Sequence, residues 1–215
     1  ILGTTLMGGI TKGLRSLSGN HMPEWTPYLA GAGTTPDPSK SKPGVAGRKV
    51  VYFPSCVSRT MGGAAPGDKD QRQLSAAMIH LMEKAGYEVI FPAEMDKLCC
   101  GMPFESKGLF ETADNMSGEL EKALFASSNQ GEYPIVCDTS PCIYRMRKVM
   151  SKTLKMYEPL EFIHDYLMDV LDFEKQPETI AVHVTCSSTK LGLKEKFKKL
   201  EAIVLSYAIS RNTTT

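Results

Sequence analysis

Nothing in these 215 residues is long and apolar enough to cross a bilayer, since no uninterrupted run approaches the roughly 18–20 residues required. The opening Ile1-Leu2-Gly3-Thr4-Thr5-Leu6-Met7 is weakly apolar but lacks a basic stretch and a small-residue cleavage site, so it does not read as a secretory leader. Charge of one sign is missing too. Lys and Arg number 25 against 24 Asp and Glu, a net of +1 that gives no reason to expect nucleic acid or an anionic membrane as the main partner. Glycine-rich Gly62-Gly63-Ala64-Ala65-Pro66-Gly67 lacks both the lysine of a nucleotide-triphosphate loop and the dinucleotide-binding pattern. Only four histidines occur (His21, His80, His164 and His183), without metal-ligand spacing, and they read as structural or surface residues. No ferredoxin-type C-x2-C-x2-C run is present, so any cubane clusters of that kind lie outside these residues.

What the chain does have is cysteine in an unusual arrangement. Cys99 and Cys100 are adjacent and followed at once by Gly101. Neighbouring thiols bridge each other only with strain, but both can turn toward one centre if the backbone turns tightly, which glycine permits. Cys56 precedes the pair by 42 intervening residues, and Cys137 and Cys142 follow it after 36. Without a secretion signal, such clusters point to metal binding or redox chemistry rather than disulfides.

The periodicity places these cysteines. Residues 1–18 carry a glycine-punctuated amphipathic helix (Leu2, Leu6, Ile10, Leu14, Leu17), and 19–47 read as a Pro/Gly-rich linker or a strap anchored by Trp25 and Tyr28. Strands are predicted at Lys49–Pro54, Tyr87–Phe91, Pro134–Asp138 and Thr179–Cys186. Helices are predicted through Leu74–Ala85 with Gly86 as the stop, over 106–128, through Ile143–Val149, through Ile163–Leu171 and through Leu193–Tyr207. This alternation predicts an α/β fold, a Rossmann-like βαβ module with a mostly parallel sheet. Every cysteine group then falls on a loop at the C-terminal edge of the strands, where open parallel sheets keep their ligand crevice. Arg145-Met146-Arg147-Lys148 and Lys194 through Lys199 read as solvated helix faces.

Repetition adds an organisational expectation. The segments Val50–Ser58 and Ala181–Ser188 share a strand, a small polar residue, a cysteine and a polar turn. The reading is a helix and strap over 1–47, a first cysteine-rich module over 48–158, and the start of a truncated second module over 159–215, with Cys186 belonging to a second site. A start other than Met and an Asn212-Thr213-Thr214-Thr215 end suggest a fragment of something longer.

Cys56, Cys99-Cys100-Gly101 and the Cys137/Cys142 group resemble the cysteine-rich CCG domain found in heterodisulfide reductase, the glycolate oxidase iron–sulfur subunit, the third subunit of anaerobic glycerol-3-phosphate dehydrogenase and FAD-linked D-lactate dehydrogenases. Phe53-Pro54-Ser55-Cys56-Val57-Ser58-Arg59, Cys137-Asp138-Thr139-Ser140-Pro141-Cys142 and Val184-Thr185-Cys186-Ser187-Ser188 are most similar to the last group, over roughly residues 48–210. Two spacings depart from the family habit. The first interval is longer, and C-x4-C replaces C-x2-C. Both Cys137 and Cys142 thus stay as candidates: Cys142, at a Pro-led helix start, has better access, and Cys137, in a strand, could be core.

The resemblance implies an iron–sulfur cluster of the 4Fe-4S type held by Cys56, Cys99, Cys100, Cys137 and Cys142, with no catalytic residue on this chain. It implies an electron-transfer domain of an FAD-linked 2-hydroxyacid dehydrogenase, D-lactate being the favoured substrate. FAD would lie on a missing part, with flavin and ferredoxin-like domains as partners, quinone or another molecule as acceptor, and a place in the cytoplasm or on the inner face of the membrane. Thiolates are soft ligands suited to iron–sulfur clusters and to zinc alike. The rival readings are a zinc-bound or apo module that docks subunits of a redox complex, and a thiol–disulfide site with an exposed low-pKa cysteine. Taken singly, Cys56, Cys137 and Cys186 are each more readily explained as small buried hydrophobes.

Overall fold

The computed structural model describes residues 4–25, 31–62 and 72–210. Four strands, β1 (Lys49–Phe53), β2 (Glu88–Ile90), β3 (Ile135–Cys137) and β4 (Met156–Tyr157), make one sheet in the order β2-β1-β3-β4, and every neighbouring pair is parallel. The α/β, Rossmann-like expectation is borne out. β1 lies in the interior because its residues suit both faces: Val50, Val51, Tyr52 and Phe53 are all buried. Parallel strands covered on both sides read as such continuous β-branched and aromatic runs.

Side-chain alternation sorts the core into two layers. Val50 and Tyr52 of β1 and Val136 of β3 face one side, where they meet Met78 and Met82 of α3 (Leu74–Lys84), Phe162 of α7 (Pro159–Phe162) and Leu167. Val51, Phe53, Ile135 and Cys137 face the other, against Leu120 and Leu124 of α5 (Phe110–Ser127) and Ile143 and Met146 of α6 (Ser140–Val149). A strand's period of two therefore sends Cys137 to the same layer as α6. Between these elements lie two short helices, α2 (Cys56–Thr60) and α4 (Met102–Glu105), and α1 (Thr4–Leu17) precedes them all. Gly86, in the left-handed region at φ +83°, ends α3 as its spacing predicts.

The chain leaves β1 toward β2 on one side and returns to β3 on the other, so the sheet order reverses beside β1. Such a switch point opens a crevice at the carboxyl ends of the strands. The strap segment 31–47 borders this half of the molecule: the Ser41 hydroxyl donates to the Val89 carbonyl (2.6 Å), and Lys42 pairs with Glu83 (2.7 Å). Trp25 is half-buried, its amide donating to Thr11 Oγ1 at 2.9 Å. Its proposed co-anchor Tyr28, and residues 63–67 of the glycine-rich loop, lie outside the described residues.

Three elements differ from expectation. The predicted fourth strand, Thr179–Cys186, is β5 (Gln176–Val182), which stops before the cysteine and pairs in parallel with β6 (Leu205–Ser210) in a separate two-stranded sheet. The fourth strand of the main sheet is instead β4, whose two residues are too short to show alternation in sequence. The last helix, α9 (Lys194–Val204), ends at Val204, and the β-prone run that includes Tyr207 is strand; helical spacing had carried through it because 3.6 and 2 coincide over short stretches. The predicted helix through Ile163–Leu171 is α7 followed by a π turn over Ile163–Leu167.

With α8 (Cys186–Lys190), this region runs β5-α8-α9-β6, which matches β1-α2-α3-β2 element for element. Each opens with a strand, then a short helix with cysteine as first residue and a hydroxyl residue capping it. Ser55 Oγ accepts from the Ser58 amide, and Thr185 Oγ1 from the Ser188 amide.

Candidate metal centre

Three loops at the carboxyl ends of adjacent strands carry the five cysteines. Cys56 is the first residue of α2, directly after β1. Cys99 and Cys100 lie between β2 and α4. Cys137 closes β3, and Cys142 stands in the first turn of α6, led by Pro141.

The sulfurs form a continuous row. The Cys100 thiol donates to Cys142 at 3.0 Å, and Cys56 with Cys99, Cys99 with Cys100, and Cys142 with Cys137 are near enough to shift one another's titration. Exposure falls along it: Cys56 and Cys99 are half-buried, while Cys100, Cys142 and Cys137 are buried. The row runs from the rim of the sheet into the core. Both Cys137 and Cys142 thus join it, although Cys137 is wholly enclosed. Cys186 stands apart, exposed at the start of α8, which packs against α6 through a 3.0 Å hydrogen bond from Ser188 Oγ to Ser140 Oγ.

Every thiol in the row is held protonated by its neighbours and by burial. For Cys56 the hydrogen bond to Cys99 leads, followed by desolvation, with Arg59 pulling the other way. Cys99 is raised by its bond to Cys100. Cys100 is pushed up to about 12, chiefly by donating to Cys142. For Cys142 the bond it accepts from Cys100 lowers the value, but its bond to Cys137, burial and the surrounding sulfurs raise it further. Cys137 likewise gains from accepting the Cys142 proton and is raised on balance by burial and by Asp138. A nucleophilic thiol–disulfide site needs a depressed pKa. Burial and the neighbouring sulfurs push these five the other way.

Backbone amides point at the same sulfurs. Gly101 N donates to Cys99 Sγ (3.4 Å), and the amides of Val57, Met102 and Thr139 reach Cys56, Cys100 and Cys137. Such donors stabilise thiolate and tune a sulfur-ligated centre. Gly101 adopts φ +80°, and a Cβ there would lie 2.2 Å from the Ala113 carbonyl oxygen. Only glycine lets the turn sit this close to α5.

Polar side chains tie the loops to one another. Arg59 of α2 donates through Nε to the Pro54 carbonyl (3.2 Å), through Nη1 to Met95 (2.6 Å) and through Nη2 to Leu98 (2.8 Å), joining the Cys56 loop to the approach to Cys99. Arg145 of α6 donates through Nε to the Cys100 carbonyl (3.0 Å) and is balanced by Glu105 and by Asp114 (2.8 Å). The Asp138 carboxylate accepts from the Ser55 amide (2.8 Å) and the Tyr52 hydroxyl (2.9 Å), joining the β3 loop to the β1 loop. Losing Arg59 would leave three carbonyls without this donor, at about 1–3 kcal/mol for each left buried and unpaired.

Arg145 corrects a sequence expectation. Its side chain is only 3% exposed, not on a solvated face, because Ala113 and Ser117 on α5 leave room for it beside the Cys-Cys-Gly turn. Its place three residues after Cys142, on the same helix face, was the available signal.

A cluster or metal must be judged against the donor set. Five soft donors with amide hydrogen bonds fit a sulfur-ligated centre. Among the described residues, no three Cys, His, Asp or Glu side chains are already gathered about a point that could hold one ion. Sulfurs around one tetrahedral zinc stand about 3.8 Å apart, from Zn–S bonds of about 2.3 Å. The Cys100–Cys142 contact is shorter, so loading requires the side chains to open outward.

Comparison with known proteins agrees with this geometry. Residues 50–147 match the family model described as CCG, Cysteine-rich domain. The matched segment holds all five cysteines of the row and leaves out Cys186. The chain is also similar to "Lactate utilization protein A" of Macrococcus caseolyticus (strain JCSC5402), 25% identical over 152 residues, which cover 66% of this chain and 58% of that protein. The chain thus spans little more than half the length of that relative. No solved structure matches.

Proposed function

We propose, for a chain whose residues 50–147 match the cysteine-rich CCG domain, that it is an iron–sulfur electron-transfer module. The observation behind the proposal is the row of five sulfurs drawn from three loops to one sheet edge. Cys56, Cys99, Cys100, Cys137 and Cys142 would hold a cluster of the 4Fe-4S type. Bound there, it would supply one-electron storage and transfer.

The chain's own residues do the rest. Amides of Val57, Gly101, Met102 and Thr139 stabilise sulfur charge, while Met95, Leu98 and Met146 belong to the apolar layer that keeps water from the inner sulfurs. Half-buried Cys56 and Cys99 face the rim, where a partner would exchange electrons. The work of the larger protein would be oxidation of a 2-hydroxy acid by flavin. D-lactate is favoured, in keeping with the name of the lactate utilization relative. Electrons would pass from flavin and ferredoxin-like domains through this module toward quinone or another acceptor. Among the described residues no helix is long and apolar enough to cross a membrane.

The match of β5-α8-α9-β6 to β1-α2-α3-β2 supports reading 159–215 as the opening of a second module, with Cys186 in the position of Cys56. Reconstitution under anaerobic conditions tests the main proposal. Iron with acid-labile sulfide and broad visible absorption is the expected result; stoichiometric zinc with neither iron nor sulfide would favour a docking module and overturn the electron-transfer role.

A further inference from the structure

We propose that Arg59, Arg145 and Asp138 are positioning residues that close the three cysteine-bearing loops into a ring and so set the spacing of the five sulfurs. The proposal rests on the metal-centre reading and assigns to these side chains a role that the cysteines alone do not explain. Its observation is topological. Arg59 ties the β1 loop to the β2 loop, Arg145 ties the β2 loop to α6, and Asp138 ties the β3 loop back to the β1 loop. Each neighbouring pair of loops thus has a link, and Thr139 reinforces the one that Asp138 makes.

The contacts fall next to the sulfurs rather than at random. Arg59 grips Pro54 and Leu98, two residues before Cys56 and one before Cys99. Arg145 grips Cys100 itself, and its Nε lies 3.0 Å from where a Cβ on Gly101 would stand. Asp138 follows Cys137 directly, and Thr139 adds a 2.7 Å hydrogen bond from its hydroxyl to Ser55 Oγ. Both arginines are at least nine-tenths buried, so their charge is spent on fixed partners rather than on solvent. A planar guanidinium can hold two or three carbonyls at set angles; an ammonium on a flexible stem cannot. Preorganised support of this kind is what keeps a ligand set at the geometry its centre needs.

The same molecule supplies a control. Arg147, also on α6, donates to the Met156 carbonyl and to Glu161 (2.5 Å), a more exposed tie that makes no link between two cysteine-bearing loops. The test compares iron retained per 215-residue chain after reconstitution and gel filtration. Arg59→Gln, Arg145→Gln and Asp138→Ala are expected to retain at most a fifth of wild-type iron, and Arg147→Gln to retain wild-type iron. Arg59→Lys and Arg145→Lys keep the charge and guard against misfolding; they are expected to lose at least half the iron, whereas Asp138→Asn, which still accepts from Ser55, recovers most of it.

A second readout needs no cluster. Capture of phenylarsine oxide by the metal-free chain requires two nearby thiols, and it is expected to slow at least tenfold in Arg145→Lys but not in Arg147→Gln. Equal iron in wild type and the Lys variants, or iron loss in Arg147→Gln matching that of Arg145→Gln, would overturn the ring. If wild type binds no iron, the electron-transfer reading fails by itself. Arsenical capture then decides the ring: a slowed Arg145→Lys upholds it, and an unchanged one overturns it.

Discussion

Cys100→Ser should strip the reconstituted chain of at least four-fifths of its iron and sulfide, while Cys186→Ser should leave both unchanged. Cys100 stands at the middle of the row, in contact with Cys99 on one side and Cys142 on the other, and it is buried. Serine offers a hydroxyl where a soft thiolate is needed, and its proton is far harder to remove in a site that already disfavours charge. The fold should survive, because one buried sulfur exchanged for oxygen costs only about 1–2 kcal/mol when hydrogen-bond partners stand nearby. Cys186 is exposed and outside the row, which makes it the internal control. Iron and sulfide assays on the two variants, with circular dichroism for folding, check the outcome.

Gly101→Ala should be the most destabilising single methyl in the described part of the site. Two penalties add there: a left-handed φ of +80° and a Cβ placed 2.2 Å from the Ala113 carbonyl oxygen. The first alone costs about 1 kcal/mol. The second forces α5 or the Cys-Cys-Gly turn to move, bringing the total to about 3 kcal/mol or more. Gly108 separates the two, because it has φ +78° and nothing within 4 Å of an added Cβ. Urea unfolding should therefore show Gly108→Ala down by about 1 kcal/mol and Gly101→Ala by about three times as much. Equal losses in the two variants would mean that the turn does not press on α5.

The cysteines could be placed from sequence because two strong signals coincide in them: strand runs such as Val50-Val51-Tyr52-Phe53, and a metal-suited residue type directly after each run. Parallel topology then does the gathering, bringing residues separated by dozens of positions to one edge. The residues that fasten the loops were not legible. Arg59 and Arg145 sit in patterns where a charge normally means solvent, and their partners lie 28 to 45 positions away for the α6 arginine and up to 39 for the other. Periodicity carries no information about such pairings. Asp138 was visible within the cysteine phrase Cys137-Asp138-Thr139-Ser140-Pro141-Cys142, yet its contacts with Tyr52 and Ser55 depend on β1 lying beside β3. The two missed strands have simpler causes. β4 is two residues long, and β6 continues the helical apolar spacing of α9 without a Gly or Pro between them.

The same topology explains why the site is graded from rim to core. β1 ends between β2 and β3, so its loop is flanked by the other two; Cys137, still within its strand, is the deepest sulfur, and Cys56, on the first turn of α2, lies farther out. A C-x4-C spacing lets both ends of the phrase contribute, since Cys137 belongs to β3 and Cys142 to α6, on the same face of the sheet. The C-x4-C spacing is accommodated by a strand–loop–helix corner, with Pro141 opening the helix.

Meeting of sulfurs from separate loops is the claim on which all of this depends, and it can be read in the metal-free chain. A limiting amount of phenylarsine oxide, followed by proteolysis and mass spectrometry, shows which thiols a single arsenic bridges. The expected product joins Cys100 to Cys142, linking the peptide after β2 to that of α6. A product confined to Cys99 and Cys100, with Cys142 left free to react with an alkylating reagent, would contradict it.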